Sequence, residues 1–584
     1  MTRAARLAVA LLLARPAAAA PSSIRNPGVL VHLTTRPWFT LDPAQSFDAV
    51  SFILTGNVYE PLIAIKSLHD VDSYIPFLAS AVPTRKNGLL SADGLEYRFP
   101  IRKGVHFHEG QELTPEDVRY SILRFMLQDP AGGPSSLLLK PILGIYTTRS
   151  NKGALAVDFR QAAEAVRVDE DAVIVHLKRP SAHFLKIIAS LPIIVSKPWC
   201  VAHGEWDGGE RTWRSLNGRP AASSYLNDHA NGTGAFRVET LSPDKEAALA
   251  RFEGYWRKPA ALSRVLLRVV PNKALRLWML ENGDADSSYL EDQDFAEARE
   301  IPDVSIVDYP AHTSLGESLF FTFETAKGSE YAGSQQLDGA GVPLDFFRDK
   351  DVREGFAHAL DYDGYLRRGM GMRGKRAPGP FPDAFLEGQS GPIPDYSLEK
   401  AGQCFRRAYG GQLWEKGFTL TLAYNPSVAS RRVIAELLRA ALEKINPKFN
   451  LRIKTLPGAD FYAALERHEL PLFISSYYAD YPDPQSMAFG LLHSSGYYPQ
   501  AQRYYNAKLD HLIEQAETEQ NASKRRSLYL QISRLAEEDM PQIHTFNPTR
   551  FRAARSWVVD RDAAQDVANL NLNNFPYFYV LSKP

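Results

Sequence analysis

The sequence predicts an α/β protein in which helices cover a β-sheet. Of its 584 residues, 45% are hydrophobic and 23% are charged, which is typical of globular proteins. Between residues 398 and 478, segments with the two-residue period of strands alternate with segments that have helical spacing. Strands that alternate with helices are typical of a sheet layered with helices. The expected elements are helices at 398–409, 429–445 and 461–467 and strands at 418–424, 450–456 and 470–478.

The first half of the chain contains further predicted strands. Residues 24–64 are expected to fold as strand, loop, helix and strand, because a turn signal at Asp42 and Pro43 precedes apolar residues at helical spacing. Apolar residues alternate over 95–101, as in a strand. Thr114, which a proline follows, is a predicted helix N-cap. Further strands, with turns between them, are expected within residues 171–180, 232–241, 246–260 and 262–271.

Two helices and a strand are predicted before the α/β segment. A helix is expected from Lys273 to about Glu281, because Asn282 and Gly283 supply a stop signal. Residues 318–324 form a predicted apolar strand, and the spacing of apolar residues predicts one helix over 351–366.

The first twenty residues have the layout of a secretory signal peptide. Two arginines precede an apolar run at residues 7–14, and small residues follow at 17–20. The run is far shorter than the ~20 residues that span a membrane. We expect residues 1–20 to act as the signal peptide, with cleavage after Ala19 favoured. Since no cysteine lies near this site, the mature protein is expected in the periplasm without a lipid anchor.

Charge and cysteine content exclude several function classes. The 67 basic and 67 acidic residues balance, so no net field attracts nucleic acid or an anionic membrane. Cys200 and Cys404 are interpreted as small buried hydrophobic residues, and the sequence leaves open whether they pair. Motifs of hydrolases, metalloproteases and nucleotide-binding enzymes do not occur. We therefore expect no catalysis, no cofactor and no metal, and interpret His106 and His108 as strand-end and turn residues.

The stretch SSYYADYPDPQS, residues 475–486, follows the last predicted strand. Ligands of open α/β sheets bind at the carboxyl ends of strands, so this stretch is a candidate site. Asp483 lies between two prolines and is interpreted as a turn residue. Asp480 follows two tyrosines, and no lysine or arginine lies within ten residues of it. A half-buried carboxylate needs a cationic partner, which a distant residue or a ligand's ammonium group would supply.

Several segments, in order, resemble the extracellular solute-binding proteins of peptide-type ABC transporters, known as family 5, which includes the oligopeptide- and dipeptide-binding proteins. The most recognisable is LEYRFPIRKGVHFHEGQELTPEDVRYSI, residues 95–122. Together the segments span about Leu41 to Phe546. The others are TLDPAQSFDAVSFILTGNVYEPLI, GTGAFRV, FEGYWRKPAALSRVLLRVVPNKALRLWMLENGDAD, RDKDVREGFAHALDYDGYL, YYADYPDP and YNAKLDHLIEQAETEQNASKRRSLYLQISRLAEEDMPQIHTF.

The resemblance implies a class II periplasmic-binding-protein clamshell, in which two lobes joined by crossover strands close on a ligand. It also implies that the first lobe carries an extra subdomain and is assembled from separated stretches. Under this division the first lobe comprises residues 21–70, 200–312 and 546–584, its extra subdomain comprises 71–199, and the second lobe comprises 313–545.

The resemblance also implies the ligand-binding residues. In peptide-binding members, an aspartate at the position of Asp480 pairs with the ligand's α-ammonium group, and the residues before it supply backbone groups and aromatic cover. The implied set is therefore Asp480, Tyr478, Tyr477 and Ser476. A tryptophan frequently precedes this aspartate in the family, whereas tyrosines stand here.

Three further residues are candidates with open alternatives. Arg467 lies upstream of Asp480, where some members carry basic residues that receive a peptide's carboxylate. Tyr59 and Glu60 are candidates for lining the cleft from the first lobe. The alternative is that Tyr59 belongs to the core and Glu60 is a solvated turn residue.

The function that the resemblance implies is that of a periplasmic binding component of an ABC importer. Such a monomer would capture an oligopeptide or dipeptide and deliver it to permease subunits in the inner membrane. The same family contains binders of nickel chelates, opines, oligosaccharides and haem, so these ligands remain alternatives. An exported sensor or docking protein with the same fold is a further alternative.

Overall fold

The computed structural model describes residues 24–67, 70–130, 132–150, 153–310, 315–389, 394–561 and 576–584. The predicted signal peptide, residues 1–20, lies outside this part. Helices and strands alternate through much of the described chain, which confirms the predicted α/β class. None of the helices in these ranges is long and apolar enough to cross a bilayer.

A seven-stranded sheet forms the centre of what we call the first lobe. Its strand Val29–Thr34 lies parallel to both neighbours, with Leu30 opposite Val265 and His32 opposite Ser287. A strand from near the C-terminus is inserted antiparallel to both of its own neighbours. Across the sheet the order is Val304–Pro310, Thr549–Arg555, Ser287–Ser288, Val29–Thr34, Arg264–Val269, Glu246–Arg251 and Phe236–Ser242.

A five-stranded sheet forms the centre of the second lobe. Strand Phe418–Tyr424 is buried along its whole length and pairs in parallel with strands on both sides. The carboxyl ends of these parallel strands therefore meet at one edge of the sheet. Across the sheet the order is Phe449–Thr455, Phe418–Tyr424, Leu472–Ser475, Ser318–Phe321 and Gln542–His544.

Smaller sheets complete the described strands. A three-stranded antiparallel sheet lies in the predicted extra subdomain and consists of Glu96–Pro100, Ala172–His176 and Val166–Asp169. Two-stranded sheets are formed by Ile63–Ser67 with Asp70–Pro76, Lys375–Arg376 with Phe546–Asn547, and Val559–Asp560 with Leu581–Ser582.

The helices agree with the predicted positions except at one point. Thr114 caps its helix as predicted, because its side chain and that of Asp117 form a capping box. The single helix expected over 351–366 is wrong: Leu360 is extended, and the Asp361 side chain caps a second helix. The described helices are Ala49–Val58, Pro115–Gln128, Ser136–Leu143, Phe159–Ala165, Phe184–Ala189, Lys197–Ala202, Trp213–Leu216, Lys273–Glu281, Phe295–Arg299, Lys350–Ala359, Tyr362–Met370, Leu398–Arg407, Gln412–Lys416, Ser430–Ile445, Gly458–Glu466, Pro484–Leu492, Tyr497–Gln502, Ala507–Thr518 and Ala522–Asp539.

Separate hydrophobic cores distinguish the two lobes. One core contains side chains from both the seven-stranded sheet and the three-stranded sheet. In the second lobe, Leu319 and Phe321 pack on one face of the five-stranded sheet, whereas Phe320 packs on the other. Tyr481 is an exception, because it follows a second-lobe strand yet packs in the core of the first lobe. The exact residue boundaries that the resemblance gave for the lobes stay a prediction.

Both cysteines are buried and unpaired, as their interpretation as small hydrophobic residues requires. Burial raises the pKa of the Cys200 thiol to about 12 and also raises that of Cys404. The thiolate form is therefore scarce at either position near neutral pH, and neither cysteine is a reactive nucleophile.

A buried ion cluster joins the predicted extra subdomain to the rest of the first lobe. Arg124, on helix Pro115–Gln128, binds both carboxylate oxygens of Asp42 at 2.6 and 2.7 Å and reaches Glu205 at 3.3 Å. Burial alone would raise the pKa of Asp42, but the charge and hydrogen bonds of Arg124 outweigh burial and hold it below its usual value. The guanidinium therefore compensates two buried carboxylates.

We expect Arg124→Met to destabilise the protein strongly, because it leaves two buried carboxylates without this cation. Removing one partner of a buried ion pair costs about 3–5 kcal/mol. Urea unfolding followed by tryptophan fluorescence measures the change. The matched control is Arg160→Met, since the Arg160–Glu210 pair is solvent-exposed and such pairs contribute less than about 1 kcal/mol. Equal losses in the two variants would contradict a structural role for Arg124.

Candidate ligand-binding cleft

The candidate segment leaves the carboxyl end of Leu472–Ser475, the middle strand of the second-lobe sheet. Ser475 is buried, and its hydroxyl contacts the Tyr498 hydroxyl at 2.6 Å. The Tyr498 hydroxyl in turn donates to the Ser476 carbonyl at 2.9 Å. These contacts fix the direction in which the chain leaves the sheet, so the next residues occupy a defined position.

Hydroxyl groups, and not a cation, surround the carboxylate of Asp480. Its Oδ2 accepts a hydrogen bond from the Tyr477 hydroxyl at 3.3 Å and another from the Ser486 hydroxyl at 3.4 Å. The backbone N–H of Asp480 donates to the Ser486 oxygen at 2.9 Å. Across the described ranges, no lysine or arginine lies within ion-pair distance of this carboxylate.

Burial raises the pKa of Asp480 to about 6, and the hydrogen bonds from Tyr477 and Ser486 offset only part of the effect. The side chain is nevertheless half-buried and keeps contact with solvent. A desolvated carboxylate that is still accessible and has no counter-charge favours the approach of a cation.

The ring of Tyr477 packs directly against helix Pro484–Leu492 at Gly490. A Cβ atom at Gly490 would lie 2.3 Å from the ring Cζ and 2.4 Å from the hydroxyl oxygen. Only glycine at position 490 therefore leaves room for the Tyr477 ring, whose hydroxyl donates a hydrogen bond to Asp480. Sequence reasoning missed Gly490, because an isolated glycine carries no signal of what packs against it.

Tyr478 connects the second lobe to the first. Its hydroxyl accepts a hydrogen bond from Arg550 Nη2 at 3.1 Å, and Arg550 Nη1 binds Asp292 at 3.0 Å. The Tyr478 ring is 44% exposed and that of Tyr289, in the first lobe, is 45% exposed. Burial nevertheless raises the pKa of Tyr289. These two partly exposed tyrosines belong to opposite lobes, which makes them candidates for opposite walls of the cleft.

Ser476 belongs to a second polar network near the same strand end. Its hydroxyl oxygen lies 3.3 Å from Arg431 Nη2, and Arg431 Nε binds Glu317 at 2.6 Å. Arg431 is therefore already neutralised by a carboxylate, as Arg550 is by Asp292.

Asp483 has a larger role than the predicted turn residue. Its Oδ1 does accept the local bond from the backbone N–H of Gln485 at 2.9 Å. It is also 0% exposed and binds Arg525 at 2.5 Å and Lys186 at 3.1 Å. Burial would raise the pKa of Asp483, but these two cations outweigh it and hold the pKa far below its usual value. Sequence reasoning missed both cations, because neither lies near Asp483 along the chain.

The structure places neither first-lobe candidate on an accessible wall. Tyr59 is 0% exposed and packs in the first-lobe core, in agreement with the alternative interpretation. Glu60 is 1% exposed, so it is neither a cleft residue nor a solvated turn residue. It accepts hydrogen bonds from Tyr255, Thr233 and Trp256 at 2.6, 2.8 and 3.0 Å. Burial nevertheless raises the pKa of Glu60 to about 7.

The side chain of Arg467 is 60% exposed and pairs with Glu469 at 2.9 Å. Within the described part of the chain, none of the contacts of Arg467 joins it to Asp480 or to the tyrosines beside it. Its proposed contact with a ligand carboxylate stays a prediction.

As the pH rises from about 4 to 6, ionisation of Asp480 should lower the free energy of unfolding of the ligand-free protein. The reason is that a carboxyl whose pKa is raised in the folded state disfavours that state once it ionises. Asp480→Asn removes this cost. The rise of the Asp480 pKa from its usual value of about 4 to about 6 corresponds to roughly 1–3 kcal/mol of stability. The variant should therefore melt at a higher temperature than wild type at about pH 7.5. The advantage should shrink at about pH 4.5.

Melting curves of ligand-stripped proteins at both pH values test this expectation. Asp171→Asn is the control, because Asp171 is exposed. A stability gain of equal size at both pH values would show that ionisation of Asp480 is not its cause.

Comparison with known proteins identifies the family of this chain. The family model for "Bacterial extracellular solute-binding proteins, family 5 Middle" matches residues 74–499. The chain is 25% identical to heme-binding protein A of Haemophilus influenzae over 91% of this chain and 89% of that protein. It is 24% identical to di/tripeptide-binding protein 2 of Pseudomonas aeruginosa over 93% of this chain and 94% of that protein.

The fold agrees with a solved member of the same group. The structure of the ABC transporter-associated periplasmic binding protein DppA from Helicobacter pylori, in complex with the peptide STSA, matches with a TM-score of 0.73. This likeness covers 95% of this chain and 98% of that chain at 20% identity. It confirms the expected two-lobed fold. Because the family match covers well over half of the sequence, the chain belongs to the bacterial extracellular solute-binding proteins of family 5, which are the binding components of ABC importers and not enzymes.

Proposed function

We propose that this protein binds a short peptide, or another solute with a free primary amine, between its two lobes and delivers it to a membrane permease. The observation that carries the proposal is the state of Asp480. Its carboxylate is desolvated and accessible, accepts two hydroxyl hydrogen bonds, and has no cationic partner among the described residues. A ligand ammonium group supplies the missing charge.

An ammonium group fits this carboxylate better than a neutral donor does. Charge-assisted hydrogen bonds are roughly twice as strong as neutral ones. Tyr477 and Ser486 each bind Oδ2 through long contacts of 3.3 and 3.4 Å, and Oδ1 makes no hydrogen bond in the described part of the chain. Oδ1 therefore remains available to a ligand donor.

The surrounding walls suit a ligand of variable side chains. The exposed rings of Tyr478 and Tyr289 offer flat apolar surface with a polar tip, which tolerates different side chains. Arg431 and Arg550 already bind Glu317 and Asp292. We therefore expect amidation of a ligand's carboxyl end to change affinity less than acetylation of its amine.

Two of the comparisons support a peptide as the ligand, whereas the relative from Haemophilus influenzae is a heme-binding protein. The relative from Pseudomonas aeruginosa is a di/tripeptide-binding protein, and the matching Helicobacter pylori structure contains a bound peptide. We further propose that the protein is exported by the signal peptide at residues 1–20 and acts in the periplasm as a monomer without a lipid anchor.

The experiment that tests the function is native mass spectrometry of protein purified without refolding, followed by denaturing release and sequencing of the bound material. We expect a set of short peptides, whose lengths report the size of the cleft. A single mass without an amine, or haem identified by its absorption, would contradict the proposal.

Asp480→Asn should weaken binding of ligands with a free amine and leave N-acetylated analogues almost unchanged. Removing one partner of a buried charge-assisted pair costs roughly 2–5 kcal/mol, or about 30-fold or more in Kd. Isothermal titration of trialanine and N-acetyl-trialanine with both proteins measures the effect. Equal losses for the two ligands would show that the carboxylate has a structural role instead.

Affinity for amine ligands should fall in acid. Binding of an ammonium group requires ionised Asp480, whose pKa in the free protein is about 6. Below that pH the Kd should rise by up to about tenfold per pH unit. Between about pH 7 and the pKa of the ligand's own α-amine, about 8, the Kd should change little. Titrations of trialanine across this range measure the profile, with Asp480→Asn as the control. A profile that persists in the variant would assign the pH dependence to another group.

A further inference from the structure

Tyr481 and its neighbours cross from the second lobe into the first. The Tyr481 side chain is 4% exposed and packs in the first-lobe core, although Ala479 and Met487 on either side pack in the second lobe. Its ring stacks on His183 of the extra subdomain, with centroids 5.4 Å apart and planes 4° from parallel. One residue of the candidate segment, residues 475–486, is therefore inserted into the opposite lobe.

An ion cluster lies directly beside this ring. Lys186, on helix Phe184–Ala189 of the extra subdomain, binds Asp483 of the second lobe at 3.1 Å and Asp72 of its own lobe at 2.7 Å. Asp483 is also bound by Arg525 through both oxygens, at 2.5 and 3.0 Å. Lys186 is the member that connects the lobes, since Arg525 belongs to helix Ala522–Asp539 of the second lobe.

A third contact extends the same interface. The ring of Tyr146, in the extra subdomain, stacks on Phe489 with centroids 4.7 Å apart and planes 17° from parallel. The ammonium group of Lys140 lies over the Tyr146 ring, 4.4 Å from its centroid. The interface therefore contains two ring stacks and one ion pair, and Phe489 lies on the helix that begins next to Asp483.

We propose that Lys186, Asp72, Asp483 and Tyr481 form a clasp that holds the two lobes together from outside the ligand pocket. Lys186 is its positioning residue, because it fixes Asp483 and thereby the chain that carries Asp480 three residues earlier. The clasp makes the closed cleft depend on the extra subdomain as well as on the ligand. Its effect on ligand affinity rests on the proposed function, whereas its existence does not.

The charges of the clasp allow it to open without a large penalty. When the lobes separate, Asp483 keeps Arg525 as its counter-charge. Lys186 keeps Asp72, whose side chain is 79% exposed. No buried charge is left unpaired in either state, so the ion pair between the lobes adds a modest attraction that can form and break reversibly. For the same reason, a variant at Lys186 is expected to fold.

Distance measurements on the full chain test the clasp. Spin labels are attached to cysteines introduced at Val168 in the extra subdomain and Tyr505 in the second lobe, both exposed, while the buried native cysteines remain unreactive. Pulsed electron paramagnetic resonance compares wild type, Lys186→Gln, Lys186→Arg and Lys197→Gln. The last is a matched control, because Lys197 pairs with Glu116 inside the same subdomain.

Closed lobes should give a population of short distances between the two labels. We expect this population to fall by at least about half in Lys186→Gln. It should be restored in Lys186→Arg and stay at the wild-type level in Lys197→Gln. For bound trialanine, the dissociation rate of Lys186→Gln should rise about fivefold while association changes little. Identical distance distributions in wild type and Lys186→Gln would overturn the clasp, and so would the absence of the short distance from wild type. If distances change as expected but trialanine does not bind, the clasp stands and the proposed ligand class fails.

Discussion

A carboxylate that is removed from water needs a compensating charge, and this constraint organises both lobes. Asp42, Asp286 and Asp483 are each 1% exposed or less, and each has an arginine or lysine within 3.1 Å. Those pairs connect distant parts of the chain, since the partner of Asp286 is Lys583. Asp480 is also desolvated, but hydroxyls alone surround it among the described residues. Glu60 also has neutral donors in place of a close cation, but it is 1% exposed. Accessibility together with the missing counter-charge therefore distinguishes Asp480 as the acid that we propose binds a ligand.

We propose two purposes for the eight residues, 476–483, that follow strand Leu472–Ser475. Tyr477, Tyr478 and Asp480 belong to the proposed ligand site, whereas Tyr481 and Asp483 contact the opposite lobe. Strand geometry explains the first purpose, because the segment leaves the sheet at the edge where parallel strands end. The second purpose depends on the extra subdomain, which supplies His183 and Lys186. In this proposal, ligand capture and lobe closure are connected through a short length of backbone.

Periodicity was sufficient to predict the α/β class and most elements of the second lobe, because each strand and helix there buries a regular face. It failed at Leu360 and Asp361, where a local cap outweighs a continuous apolar pattern. Asp480 was identified from its surroundings in the sequence and from the family resemblance. Arg525, Lys186 and Gly490 were not, because their importance depends on which side chains the fold brings to them. Glu60 illustrates the same limit, since a charged residue beside a proline gave no sign of three buried donors.

The order of strands in the first-lobe sheet has a consequence for biosynthesis. Thr549–Arg555 lies between Val304–Pro310 and Ser287–Ser288, so the sheet combines residues separated by more than two hundred positions. Pairings of such long sequence separation form slowly, since a large loop must close first. The last strand of the second-lobe sheet ends at His544. All strands of that sheet are therefore synthesised before strand Thr549–Arg555, which the first-lobe sheet still needs. The first-lobe sheet therefore stays incomplete until residues 549–555 have left the ribosome. A chain that is still partly unfolded at that stage would suit the export that we propose.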